Sequence, residues 1–130
     1  MTHEASFRVY YEDTDMAGVV YYANYLKFIE RARSDALRES GVDQRAMRAA
    51  GLVFVVTRLV ADYLSPARYD DVITVETATA EVKGASARLR QTVRRDGSAL
   101  FQADVTFACM TDEGRPTRMP ETARAALSRI

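Results

Sequence analysis

The hydrophobic period of this chain changes once, at Gly51, and that change limits what it can fold into. Before it, Tyr22, Tyr25, Leu26, Ile29, Ala32, Ala36 and Leu37 recur at spacings of three and four, which predicts an amphipathic helix over residues 23–40. Its other side carries Lys27, Glu30, Arg31, Asp35 and Arg38, with Arg31 and Asp35 spaced to pair on the surface. Gly41 is placed to end this helix in a left-handed conformation, and a shorter helix follows, capped by Asp43 and stopped by Gly51. After Gly51 the period is two. Residues 52–64, 72–82, 86–95 and 100–111 read as strands. Pro66 and Asp70-Asp71 interrupt the first pair, and Asp96-Gly97 is a hairpin turn. Residues 6–11 add a β-prone run before the helix, and Pro120 opens a short C-terminal helix.

The element order is one strand, a long helix, then four strands that can pair as an antiparallel meander. Along residues 100–111, Phe101, Ala103, Val105, Phe107 and Cys109 share one face by parity. A sheet with such a face must bury it, and the long helix is the only element large enough to cover it. The expectation is an α+β domain, a five-stranded antiparallel sheet curved around a long central helix. No Pro/Ser-rich linker or repeat divides residues 1–130, so one domain is expected. A two-layer domain of this size completes its core by pairing with a copy of itself, which predicts a homo-oligomer, dimer or tetramer.

Charge and composition exclude several roles. The 18 basic and 18 acidic residues cancel, which argues against a general nucleic-acid binder. The single cysteine, Cys109, allows no internal disulfide and reads as a small core residue in a reducing, cytoplasmic setting. The N-terminal residues hold no signal-like apolar run, and the longest uncharged apolar stretch, residues 51–57, is too short to span a bilayer. The only histidine, His3, lies in a stretch expected to fray, so no histidine-based triad is available from one chain.

The segment RVYYEDTDMAGVVYYANY, residues 8–25, carries the chemistry. Asp15 stands just before the predicted helix, where a negative charge meets the positive end of the helix dipole. An acid-rich turn that merely caps the helix is the bland alternative. A metal loop is the weaker one, because Ala17 and Asn24 stand where an EF-hand needs ligands.

The spacing Arg8-Val9, Thr14-Asp15 and Gly18-Val19-Val20 resembles the active-site signature of the 4-hydroxybenzoyl-CoA thioesterase family. The following YYANYLKFIERAR is similar to its Tol-Pal-associated bacterial branch, the YbgC-type acyl-CoA thioesterases. The resemblance implies a hotdog fold, hydrolysis of acyl-CoA thioesters, and active sites formed between paired subunits. It places the catalytic carboxylate on Asp15 and the carbonyl-polarising amide on Tyr22 or its neighbours. Many members of the Tol-Pal branch carry histidine where this chain has Tyr22; tyrosine there resembles the 4-hydroxybenzoyl-CoA branch.

Thioester hydrolysis suits these groups. A carboxylate activates water or attacks directly, and free N–H groups of a helix's first turn stabilise the oxyanion, so neither metal nor cofactor is required. Gly18 lets the backbone approach the substrate, and Val19 and Tyr21 are expected beside it; Tyr25 and Phe28 read as core. For the phosphates of coenzyme A, Lys83 and the turn reaching Ser86 are the candidates. Arg88, Arg90 and Arg94 share parity and read as a solvent-facing row. Acyl carrier protein is a second candidate carrier. The competing functions are a dehydratase, disfavoured by the lack of any histidine besides His3, and a non-catalytic acyl-binding or envelope-associated scaffold.

Overall fold

The computed structural model describes residues 2–130. Five strands form one antiparallel sheet: β1 (His3–Arg8), β2 (Leu52–Tyr63), β3 (Val72–Val82), β4 (Ser86–Arg95) and β5 (Ser98–Thr111). Three α-helices accompany them: α1 (Asn24–Ser40), α2 (Gln44–Ala49) and α3 (Glu121–Leu127). Among the described residues, no helix is long and apolar enough to cross a membrane.

The strand order, β1-β3-β4-β5-β2, corrects the simple meander. Strands β3, β4 and β5 run as consecutive hairpins, but β2 leaves β3 and pairs with β5 at the far edge. The link over residues 64–71 is no tight turn, and Pro66 within it has no amide to donate. At one end the amides of Leu64 and Ser65 donate to the Leu100 carbonyl. At the other, Val9 donates to the Asp71 carbonyl and Asp70 donates to Val9. The link therefore crosses the end of the sheet and delivers β3 to β1.

Strand β1 also begins and ends earlier than the β-prone run at residues 6–11. It pairs with β3 from His3 opposite Thr77 to Arg8 opposite Val72, after which Tyr11–Asp13 turn as a short 3₁₀ segment. His3 is thus held in the sheet rather than frayed, and its Nε2 lies 3.1 Å from Glu39 Oε2.

The parity reading of β5 holds: Phe101, Ala103, Val105, Phe107 and Cys109 are all buried. Helix α1 lies across this face with Tyr25, Phe28, Ile29, Ala32, Ala36 and Leu37. Asn24 opens the helix and Gly41 ends it at φ 106°, a left-handed conformation that favours glycine. Asp43 caps α2 as expected, accepting from the Ala46 amide. Asp35 pairs with Arg38 rather than Arg31. Helix α1 does not cover the sheet alone. Ala123, Ala126 and Leu127 of α3 bury against the half beyond Leu37, joined by Met119 and Ile130. These features make the hotdog arrangement that the resemblance implied.

Candidate active site

The chain from Thr14 to Val20 folds as a miniature hairpin, bridged at those two residues. Gly18 turns it at φ 78°, and its amide donates to the Asp15 carbonyl. Val19 bridges outward to Arg68, which fixes the hairpin to the link over residues 64–71. Asp15 is therefore presented on a braced turn ahead of α1, not within the helix's first turn. Its Oδ1 accepts from the Ala17 amide at 2.9 Å. Among the described residues no side chain or amide donates to Oδ2.

The start of α1 meets this turn because Asn24 ties the two together. Its side-chain amide donates to the Asp13 carbonyl at 3.0 Å, and the Tyr21 amide donates to the same carbonyl at 2.9 Å. The amides of Tyr22 and Ala23 donate to no protein acceptor among the described residues, as expected of the end of a helix. Asp15, Val19 and Tyr22 then line a groove of about 370 Å³ with Val20, Tyr25 and Tyr63. Leu64, Ser65 and Pro66 close its far wall.

Tyr63 was not among the residues expected at the site, and Tyr25 was expected as core ahead of pocket, although each shapes this groove. The Tyr63 hydroxyl donates to the Tyr22 carbonyl at 2.8 Å, which ties the end of β2 to the start of α1. The Tyr25 hydroxyl accepts from the Ala67 amide at 3.0 Å, and its ring stacks on Phe101 with centroids 4.9 Å apart. Tyr25 is thus core, as expected, and wall at once. Burial pushes both hydroxyls above the ordinary phenol range; for Tyr63 the neighbouring Tyr22 and Tyr25 add to the effect. Both therefore keep their protons at neutral pH. The sequence signal for Tyr63 is an aromatic residue at the end of a strand just before Ser-Pro, which by itself says only that a strand stops.

Of the other expected residues, Tyr21 packs against Tyr22 with ring centroids 5.0 Å apart, and neither it nor Gly18 forms the groove wall. Lys83 and Ser86 lie at the opposite end of β3 from Asp15 within one chain. The Lys83 amide donates to the Ser86 carbonyl, and Lys83 Nζ lies 3.9 Å from Glu81. The arginine row is engaged in ion pairs: Arg90 grips Asp104 with two bonds of 3.1 Å, and Arg94 holds Glu76 at 2.7 Å.

The link below the groove has its own anchor. Asp71 accepts from the Arg68 amide and pairs with Arg95 at 2.6 Å. Burial works to raise this carboxyl, but the Arg68 amide and the Arg95 guanidinium outweigh it and hold the group below the usual carboxylate range.

Known proteins resemble this chain in sequence and in fold. The sequence pattern of the thioesterase-like superfamily matches residues 9–127. An acyl-CoA thioesterase YbgC of Haemophilus influenzae is 43% identical over 126 residues, 95% of this chain and 92% of that protein. An acyl-CoA thioester hydrolase YbgC of Escherichia coli is 38% identical over 117 residues, 88% of this chain and 87% of that protein. The crystal structure of a probable thioesterase from Bartonella henselae superposes with a TM-score of 0.87 at 37% identity, covering 92% of this chain and all of that one.

Proposed function

The chain belongs to the thioesterase-like superfamily and is a thioester hydrolase of the acyl-CoA thioesterase kind; from that premise we propose that Asp15 is its catalytic carboxylate and that the amides of Tyr22 and Ala23 polarise the thioester carbonyl. The observation that carries this is the groove itself. The groove is lined by Asp15, whose Oδ2 is free of protein donors, and by Tyr22, whose amide, like that of Ala23, has no protein acceptor among the described residues. Water activated by Asp15, or Asp15 itself, attacks the carbonyl carbon. The developing oxyanion faces N–H groups already oriented by the helix, at the positive end of its dipole. Collapse expels coenzyme A thiolate and leaves the free acid, or an acyl-Asp15 anhydride that water then hydrolyses.

The acyl group lies in this reading against Tyr22, Tyr25 and Tyr63, with Val19 beneath it. Tyr22 contributes its backbone to catalysis and its ring to the pocket. Gly18 and Tyr21 act at one remove, the first by shaping the turn and the second by packing on Tyr22. The working unit is a homodimer formed at the β2 edge. Val55, Val56, Leu59 and Val60 are each 37–47% exposed there, along a strand with one open side. Cys109, buried and unpaired, suits the reducing conditions of the cytoplasm.

The test is thiol release from a panel of short, long and aromatic acyl-CoAs, comparing the native chain with Asp15→Asn. The substitution is isosteric, so the melting temperature should hold while turnover falls by about 10³-fold. A variant with near-native rates would remove Asp15 from the chemistry. A native chain that binds acyl-CoA without releasing thiol would leave a binding protein instead.

A further inference from the structure

One residue of the groove wall is tied, within a single chain, to the turn that carries Asp15. Val20, the last residue of the miniature hairpin, donates its amide to the Ala67 carbonyl at 2.8 Å. Val19 bridges to Arg68 beside it. The outgoing arm of the Asp15 turn therefore rests on residues 67 and 68 of the link. Ala67 is fully buried, and its own amide donates to the Tyr25 hydroxyl at 3.0 Å. The peptide units on the two sides of Ala67 are thus both engaged, one by the Asp15 turn and the other by helix α1.

Tyr25 is built to hold that amide in one place. Its ring is 3% exposed, stacked on Phe101 and edge-on to Tyr63 with centroids 5.5 Å apart. It follows Tyr22 by three residues, so the helix start that offers the Tyr22 and Ala23 amides also anchors the link. Among the described residues, no other hydrogen bond joins the link to α1. The bland reading is a core tyrosine that has found a partner for its hydroxyl. That accounts for the bond but not for its place. The partner is the amide that follows Pro66, a residue of the groove's far wall, and the next carbonyl along carries the Asp15 turn. One hydroxyl thereby spaces the helix start, the far wall and the carboxylate's support.

We propose that Tyr25 is a positioning residue for the hydrolysis: acting through Ala67 and Val20, its hydroxyl sets where the Asp15 carboxylate stands relative to the amides of Tyr22 and Ala23. This rests on the assignment of Asp15 as catalytic carboxylate. Without the hydroxyl, the Ala67 amide loses its acceptor, and the link is released from α1 together with the Val19–Val20 arm that it supports. The walls of the groove remain, but attack on the carbonyl carbon is misaligned. A misplacement of about 1 Å at a reacting group costs on the order of a hundredfold in rate.

The test is Tyr25→Phe, alone and combined with Asp15→Asn. Phenylalanine keeps the ring on Phe101, so the fold should hold, and kinetics are read at a temperature where circular dichroism shows every variant folded. In the native background, kcat for thiol release from the acyl-CoA that the native chain turns over fastest should fall about tenfold or more, with KM changed by less than about twofold. In the Asp15→Asn background, the same substitution should change the residual rate by less than about twofold, because the group that Tyr25 positions is already gone. A bond that serves the fold alone would lower both backgrounds by the same factor, and that result overturns the proposal. So does a native kcat in Tyr25→Phe, whether KM is native or raised, since Tyr25 is then wall alone. The two assignments fail in different ways. Near-native turnover in Asp15→Asn overturns the catalytic carboxylate and this proposal with it, whereas an inactive Asp15→Asn beside a native-like Tyr25→Phe overturns only the positioning role.

Discussion

Strand β1 lines one edge of the sheet with alternating side chains that include His3, Glu4 and Arg8, over six residues. Strand β2 lines the other over twelve, with valine and leucine exposed on both faces. A short edge bearing charges discourages a further strand; a long apolar edge invites one. The two edges also differ in what they hold. Beneath the β1 edge, Arg95 and Asp71 lock the link between the strands, and Arg8 pairs with Asp70 at 3.0 Å. The β2 edge ends in Tyr63, whose hydroxyl reaches the first turn of α1. One edge closes the domain, and the other runs directly to the groove. An oligomer that formed at β2 would therefore be part of the active site rather than an addition to it.

The largest effect that separates the edges should come from Val56→Lys with Leu59→Lys. Two charges on the strand's inner face are expected to yield a monomer by light scattering and to lower thiol release more than about a hundredfold, as the proposed dimer at the β2 edge requires. A dimer of native activity would show that the β2 edge is not the contact. Next is Tyr63→Phe, which keeps the ring and removes the bond to the Tyr22 carbonyl. We expect kcat to fall about tenfold with little change in KM, because the amides of the helix start lose one brace while the pocket keeps its shape. Steady-state kinetics on one acyl-CoA read this directly, and a rise in KM with kcat unchanged would assign Tyr63 to binding instead.

At the β1 side the effects should be on stability. The folded Asp71 carboxyl is held below its ordinary range, so its contribution is present above the unfolded value and is lost as pH falls through the folded one. Asp71→Asn should lower stability by about 0.5–1 kcal/mol at pH 7, a modest figure because solvent screens the pair. The difference between native and variant in urea midpoint should close as pH drops below about 4. A gap that persists into acid would mean that Asp71 acts through hydrogen bonding alone. The smallest effect is expected for Ser6→Lys on the exposed side of β1: oligomeric state unchanged and stability altered by less than about 0.5 kcal/mol. A loss of the dimer on this substitution would invert the roles given to the two edges.

Much of the fold was legible because its signals are local. The bounds of β3 and β4, the Gly41 terminus of α1 and the buried parity of β5 all follow from patterns within a dozen residues. The order of the strands was not legible. A run of four β patterns is compatible with a full meander, and only the ladder of β2 with β5 shows that β2 parts from β3. In the site, Asp15 and Tyr22 could be named because seven residues separate them and a compact motif surrounds them. Tyr63 could not, because it stands forty-one positions along the chain from the carbonyl that it holds.

The amino-acid sequence by itself determined the compact motif on residues 8–25 and the layered α+β domain that displays it, since short-range periodicity and turn residues act on the chain before any long-range contact forms. Tertiary structure alone decided which ends of those elements meet. Closing the sheet around α1 brought Tyr63 and the link over residues 64–71 to the carboxylate of Asp15, and left β2 with its apolar edge outward. The physical reason is that pairing partners and pocket walls are fixed by burial summed over the whole chain, a quantity no local pattern contains.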